Sequence, residues 1–337
     1  MHEDLANRIA LGSSTRRRLL AGGLAAAGIG LPSLLSAQST YPSRPIRMII
    51  AFAAGGGNDR IGRMLADWLS VRLGQPVVVE NRTGAGGNIG AEAAAKSEPD
   101  GYTLFFGTNG TQSMNQLIFK SMPYDTDTAF ANICDVIRVA NIITVADSFE
   151  PRTTAALADY VKRHPGKVSA GNSGIGSMSH LGLELFSSMV GARMNLVPYR
   201  GSAPVLADLV AGSLQVAQTE LSTAKPLIQA GKVHAIGVTS KERSPALPDV
   251  PAIAEALPGY EATSWQVLVA AAGTPRPIID RLNRLTNDFL KDGEILRKFG
   301  EMGVDPTGGT PEDLDRFVRA ETTKWRKIVA DAGITLQ

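Results

Sequence analysis

The sequence has little of what metal centres, disulfide frameworks and nucleic-acid surfaces require. Its one cysteine, Cys134, lies among apolar residues, so an internal disulfide is excluded and a packed core thiol is predicted. The four histidines are scattered along the chain, so we expect neither a metal site nor a cofactor. Basic and acidic residues number 34 and 32. This near balance argues against nucleic acid or an anionic membrane as a partner.

The first 39 residues have the features of a secretory leader. Arg16–Arg18 precede an apolar, glycine-rich stretch from Leu19 to Leu35, and small residues follow at Ala37 and Ser39. The stretch is short for a membrane anchor, so residues 1–39 are predicted to be a twin-arginine-like signal peptide that is removed on export. Its removal leaves thirty basic and thirty acidic side chains. The mature chain is expected in the periplasm.

The remaining chain alternates short apolar strands with helices. This order predicts an α/β protein whose sheets are largely parallel. The length suffices for two domains, yet no linker separates them. We therefore expect the chain to pass between two lobes more than once, in Asp135–Ala146 and Glu261–Ala271.

A glycine loop near the start of the mature chain is the first candidate site. Met48–Phe52 is predicted to form a buried strand. Gly55–Gly57 then form a turn without side chains, and Asn58 and Asp59 begin a helix. Exposed amides at a helix N-terminus favour an anion. No Lys or Ser/Thr follows at P-loop spacing, so a small carboxylate fits better than a nucleotide. The alternative is a plain turn in which Asp59 only caps its helix.

Three further loops follow predicted strands and begin helices. They are Thr108–Thr111, Gly171–His180, and Tyr199–Pro204, in which Arg200 could offer a cation to a carboxylate. Gly84–Gly90 has the wrong spacing for a dinucleotide fingerprint and is interpreted as a tight turn that supports helix packing. Ser173 nearly completes a hydrolase elbow, but Ile175 replaces the final glycine.

Ordered motifs along residues 41–337 resemble the Bug-type extracytoplasmic receptors of tripartite tricarboxylate transporters. The motifs are Tyr41–Ile46, Gly55–Asp59, Val78–Arg82, Gly84–Gly90, Pro99–Leu104, His164–Lys167, Val197–Gly201, Ala230–Lys232, Val238–Pro251 and Pro258–Glu261. The resemblance implies a two-lobed periplasmic-binding-protein fold, type II-like, in which each lobe is a mainly parallel sheet flanked by helices. A hinged cleft between the lobes would hold the ligand. The implied domains are 1–39 as signal peptide, 40–143 plus 263–337 as lobe one, and 144–262 as lobe two.

The resemblance also implies the function and the site. The protein would bind a small carboxylate, catalyse nothing, act as a monomer and deliver its ligand to membrane permease subunits of the transporter. Citrate-like acids, dicarboxylates, acidic amino acids and aromatic acids remain open as ligands. The implied contact residues are Phe52, Ala54, Gly55, Gly56, Asn58, Asp59, Thr108, Asn109, Ser173, Gly174, Ser177, His180, Arg200, Gly201 and Ser202.

One segment departs from the family pattern. Relatives commonly carry an apolar-Asp-Asn run before the position of Leu221, where this chain reads Gln218-Thr219-Glu220. The exchange could change the ligand or only a hinge contact. Two other functions remain as alternatives: a binding protein that reports to a membrane sensor, and a serine hydrolase that uses Ser173.

Overall fold

The structure is a computed structural model that describes residues 41–52, 54–199 and 201–332. The predicted signal peptide therefore lies outside the described residues, as does Arg200. None of the helices in the described ranges is both long and apolar enough to cross a membrane.

The described residues form eleven strands and ten helices, which alternate along much of the chain. The strands are β1 Ile46–Ile50, β2 Val77–Asn81, β3 Thr103–Thr108, β4 Phe130–Val139, β5 Asn141–Ala146, β6 Ser169–Asn172, β7 Asn195–Pro198, β8 Val216–Glu220, β9 Val233–Val238, β10 Ser264–Ala271 and β11 Val304–Pro306. The helices are α1 Gly57–Leu73, α2 Asn88–Ala95, α3 Asn115–Ile118, α4 Thr154–Arg163, α5 Met178–Val190, α6 Ser202–Val210, α7 Leu221–Gln229, α8 Arg276–Phe289, α9 Gly293–Met302 and α10 Pro311–Ala332. A π-helical turn, Gly110–Met114, leads into α3.

The strands form two sheets. The first has the order β11-β4-β10-β3-β1-β2 and the second the order β7-β6-β8-β5-β9. The α/β class and the two-sheet arrangement that the sequence predicts are confirmed. Both sheets are mixed, however, rather than mainly parallel. In the first, β10 runs antiparallel to β3 and β4, and in the second, β5 runs antiparallel to β8 and β9.

Two of the antiparallel strands, β5 and β10, follow a passage of the chain from one sheet to the other, whereas β11 pairs antiparallel with β4 after α9. β4 of the first sheet ends at Val139 and β5 of the second begins at Asn141, so the first passage is at Ala140. The chain returns between Ala262, whose amide still bonds Thr239 of the second lobe, and β10. β5 and β10 each enter a sheet directly from the other one and not through a crossover helix, which a parallel pairing would require. The predicted lobe boundaries, at 143/144 and 262/263, stay a prediction.

Several helices begin or end at residues of a type that favours a helix terminus. The Thr153 hydroxyl accepts a hydrogen bond from the Ala156 amide and caps α4. Ser177 caps α5 in the same way, and Gly191 ends that helix in a left-handed conformation.

Cys134 is fully buried and burial raises its thiol pKa to about 12, so the prediction of a packed core thiol is confirmed.

The last helix, α10, packs against both lobes. Its first half brings Leu314 and Phe317 to the apolar cluster on one face of the first sheet. Its second half places Trp325 and Ile328 in the core of the second lobe. The amphipathic spacing of residues 311–332 predicts this helix with the same bounds. No element is predicted where α9 and β11 lie, between α8 and α10.

Candidate ligand-binding cleft

A cleft of about 380 Å³ lies between the two sheets. Its walls come from loops that follow β1, β3, β6 and β8 and from the first residues of β10. The carboxyl ends of parallel strands meet at one edge of a sheet, which is where α/β folds hold their ligands. The position agrees with the predicted interlobe site.

Helix N-termini face this cleft from both lobes. Asn58 in the first turn of α1 and Gly110 at the start of the π-helical turn line it from the first lobe. Ser177 and Met178 at the start of α5 line it from the second. The first amides of a helix have no partner within the helix, and the helix dipole adds partial positive charge there. The cleft is therefore suited to an anion.

Three polar atoms in the lining are buried and have no hydrogen-bond partner among the described residues. They are Asn58 Oδ1, Trp265 Nε1 and Gln266 Oε1. The Trp265 side chain is fully buried and Gln266 is 7% exposed. A buried polar group without a partner costs free energy, so such atoms mark where a ligand or water would bind.

The structure brings together five of the predicted contact residues in this lining: Phe52, Asn58, Thr108, Asn109 and Ser177. Four more lining residues, Gly110, Ile175, Gly176 and Met178, belong to the loops predicted as candidate sites, and Glu220 belongs to the segment whose exchange could change the ligand. The sequence analysis does not place the remaining ones in the site, which are Gly86, Asn115, Ile118, Phe119, Val139, Ser264, Trp265 and Gln266. Of these, Trp265 follows a family motif, which is the one signal that could have found it.

Asp59 is outside this lining and holds the glycine loop together. Its Oδ2 accepts hydrogen bonds from the Gly55 amide (2.8 Å) and from Arg63 Nε (2.9 Å). Its Oδ1 accepts one from Asn81 Nδ2 at the end of β2 (2.8 Å). The N-cap residue of α1 is Gly56, so the cap role expected for Asp59 is wrong. The carboxylate instead anchors the loop to the sheet. Ala54, Gly55 and Gly56 also lie outside the lining.

Replacing Asp59 with asparagine is expected to lower the free energy of unfolding by about 2 kcal/mol at pH 7. The hydrogen bonds from Arg63, Gly55 and Asn81 lower the pKa of Asp59 to about 2. A carboxyl with a lowered pKa stabilises the fold above its ordinary pKa, and this contribution is lost as the pH falls toward 2. Urea unfolding should therefore show a loss at pH 3 of roughly half that at pH 7. The control is Asp67→Asn, an exposed site on the same helix, and an equal loss there would contradict the assignment.

The loops of the second lobe form a network of internal hydrogen bonds. Ser173 Oγ contacts Ser202 Oγ (2.9 Å), and the Gly201 amide donates to Ser173 O (3.2 Å). His180 Nδ1 accepts from the Gly176 amide (3.2 Å), and burial lowers the pKa of His180. Ser173, Gly174, His180, Gly201 and Ser202 thus lie behind the lining rather than in it.

This network bears on the hydrolase alternative. The hydroxyl of Ser173 is paired with another serine, and within the described ranges no histidine ring contacts it. Nor do the described residues contain a group of three His, Cys, Asp or Glu side chains that could hold a metal ion. A serine nucleophile needs an adjacent base, so the geometry of Ser173 gives no support to acyl transfer.

A two-lobed α/β protein with a cleft of this kind is a solute-binding protein by class. Residues 61–334 match the model of the tripartite tricarboxylate transporter family receptor, and the chain belongs to that family. The resemblance to Bug-type receptors is confirmed.

Solved structures similar to this chain include Rpa4515 of R. palustris with adipate, at 39% identity and a TM-score of 0.76, covering 88% of this chain and 99% of that one. The periplasmic binding protein BugD is 34% identical, with a TM-score of 0.72 and coverage of 88% and 100%. MatC of Rhodopseudomonas palustris with bound malate is 30% identical, with a TM-score of 0.72 and coverage of 86% and 100%.

Proposed function

We propose that the mature protein is a periplasmic receptor that binds one small carboxylate in the interlobe cleft and catalyses nothing. The observation that carries this proposal is the meeting of helix N-termini from both lobes around buried polar atoms that lack partners. Burying a carboxylate is tolerable only where several donors converge on it. The adipate and malate bound by two of its relatives support the same ligand class.

Several predicted contacts remain part of this proposal. Arg200, which follows β7, would offer a cation to the ligand, and Ser173, His180 and Ser202 would position the loops that meet it. Hinge motion of lobe one (40–143 plus 263–337) against lobe two (144–262) would close the cleft. Closure would distinguish the loaded receptor, a monomer, from the empty one.

A thermal-shift screen of carboxylates on the purified mature protein tests the proposal. A cognate ligand at a hundred times its dissociation constant should add about 2.7 kcal/mol of stability. Calorimetry should then show one ligand bound per chain, with the ligand recovered unchanged. If no small carboxylate stabilises the protein, the proposed ligand class is wrong. A ligand recovered as a product would favour an enzyme instead.

Membership of the family supports delivery of the ligand to a membrane permease, and the leader would supply the route to the periplasm. Replacing Arg16, Arg17 and Arg18 together with lysine is expected to abolish export, because the export machinery recognises the arginine pair. Immunoblots of periplasmic and cytoplasmic fractions measure this, with Arg8→Lys as the control. Normal periplasmic yield of the triple variant would indicate a general secretory signal. A role in reporting to a membrane sensor is the second candidate.

A further inference from the structure

The cleft has one ionisable side chain among its described lining residues, and it is an acid. Glu220 is the last residue of β8 and faces the cleft from the second lobe. The other described lining residues are polar and uncharged or apolar. A site for a dicarboxylate would be expected to show positive charge at both ends. The described part of this cleft shows helix N-termini and one carboxyl group.

The carboxyl group of Glu220 has no structural task among the described residues. It occupies the N-cap position of α7 but makes no side-chain capping bond. No hydrogen bond or ion pair within the described ranges uses its oxygens, although its backbone pairs with Asn141 in the sheet. The residue is exposed at the open cleft, and desolvation by the protein around it raises the pKa of its carboxyl group. An acid in this position gains from a cationic partner.

An adjoining cavity of about 290 Å³ contains the other charges near this group. It shares Asn58, Glu220 and Gln266 with the cleft and is also lined by Arg60 of α1 and Glu301 of α9. Glu301 forms an ion pair with Arg297 on its own helix, and Arg60 is an exposed cation of the adjoining cavity. Among the described residues that line both cavities, Glu220 is the one that carries a charge. Its charge is therefore the one that a ligand in the cleft would meet.

We propose that Glu220 determines specificity by accepting hydrogen bonds from an ammonium group of the ligand and by repelling a second carboxylate. The ligand class would then be a small amino acid whose carboxylate meets the helix N-termini and whose amine meets Glu220. This inference rests on the proposed function and narrows it. It sets the protein apart from the relatives that hold adipate and malate.

Matched sets of probes test the inference on the mature protein. Each set has one chain length: butyrate, succinate, 2-aminobutyrate and 4-aminobutyrate in the first, and hexanoate, adipate, 2-aminohexanoate and 6-aminohexanoate in the second. Calorimetry should show, in at least one set, an amino acid that binds at least tenfold more tightly than the diacid. If the diacid binds as tightly as both amino acids or more tightly in each set, the inference is overturned and the proposed function stands. If nothing in either set binds, both are contradicted for acids of these lengths.

Variants then assign the preference to the residue. Glu220→Gln should weaken binding of the preferred amino acid at least tenfold and strengthen binding of the matching diacid at least tenfold. Glu301→Gln is the control, because Glu301 lines only the adjoining cavity, and it should change neither affinity by more than twofold. An unchanged preference in Glu220→Gln would overturn the assignment. Glu220 has no internal partner among the described residues, so its variant should melt close to the wild type, which the same thermal scans check.

Discussion

Replacing Trp265 with phenylalanine is expected to weaken ligand binding by about tenfold to a hundredfold and to lower the stability of the empty protein only modestly. The indole Nε1 lies fully buried in the wall of the cleft and has no partner among the described residues. A hydrogen bond to a charged group contributes about 1.5–3 kcal/mol, which accounts for the expected loss. Phenylalanine keeps a ring against Phe317, whose centroid is 5.3 Å from that of Trp265. It also removes an unsatisfied donor, which offsets part of the packing lost with the smaller ring.

A second tryptophan gives a matched control for this experiment. Trp68 on α1 donates from Nε1 to Leu285 O (3.1 Å) and belongs to the core of the first lobe, away from the cleft. Trp68→Phe should therefore lower stability and leave affinity unchanged. Urea unfolding and calorimetry with one carboxylate from the screen measure both quantities. Equal affinity of wild type and Trp265→Phe would show that this indole does not bind the ligand.

The second large effect is expected for Gly90→Ala, which should lower the free energy of unfolding by about 3 kcal/mol. A Cβ atom at Gly90 would lie 2.8 Å from Arg82 O and 3.1 Å from the Ala51 Cα atom. These neighbours are backbone atoms at the ends of β2 and β1, so they cannot move aside as a side chain can. The substitution would push α2 off the first sheet. This agrees with the interpretation of Gly84–Gly90 as a segment that supports helix packing.

Gly57→Ala serves as the control for that result. Gly57 begins α1, and an added Cβ there would meet nothing within 4 Å. Alanine is the better helix former, so the free energy of unfolding should stay level or rise slightly. Equal losses in both variants would mean that the general cost of losing a glycine, and not the contact at Gly90, sets the effect. Denaturant unfolding of the two variants at one pH decides between these outcomes.

The elements that the sequence predicts well have ends that are marked by capping or helix-ending residues. The sequence predicts a helix over Met178–Val190, and the structure confirms both ends, because Ser177 can cap it and Gly191 can end it. The loops after β1, β3 and β6 were recognised as site loops because each follows an apolar strand. Trp265 and Gln266 were missed for a different reason. They reach the cleft because β10 pairs antiparallel with β3. No local sequence pattern indicates a pairing between strands so far apart in the chain.

Asp59 shows a second limit of local reasoning. Its place at the start of a helix suggested a cap or a ligand contact, yet its partners include Asn81, twenty-two positions away. The side-chain bond to β2 depends on how β1 and β2 pair, which sequence spacing alone does not reveal. The same holds for Glu220, whose position in the cleft follows from the pairing of β8 with β5.

The continuous helix α10 limits how the protein can move. At about 1.5 Å per residue, its 22 residues extend roughly 33 Å, and its two halves are embedded in different lobes. Two strand passages alone would allow the halves of the molecule to swing widely apart. A continuous helix that packs into both lobes is stiff and resists such a motion. We therefore expect the hinge motion of the lobes to be mainly a rotation about the axis of α10, which would open the cleft to its ligand by a narrow gap.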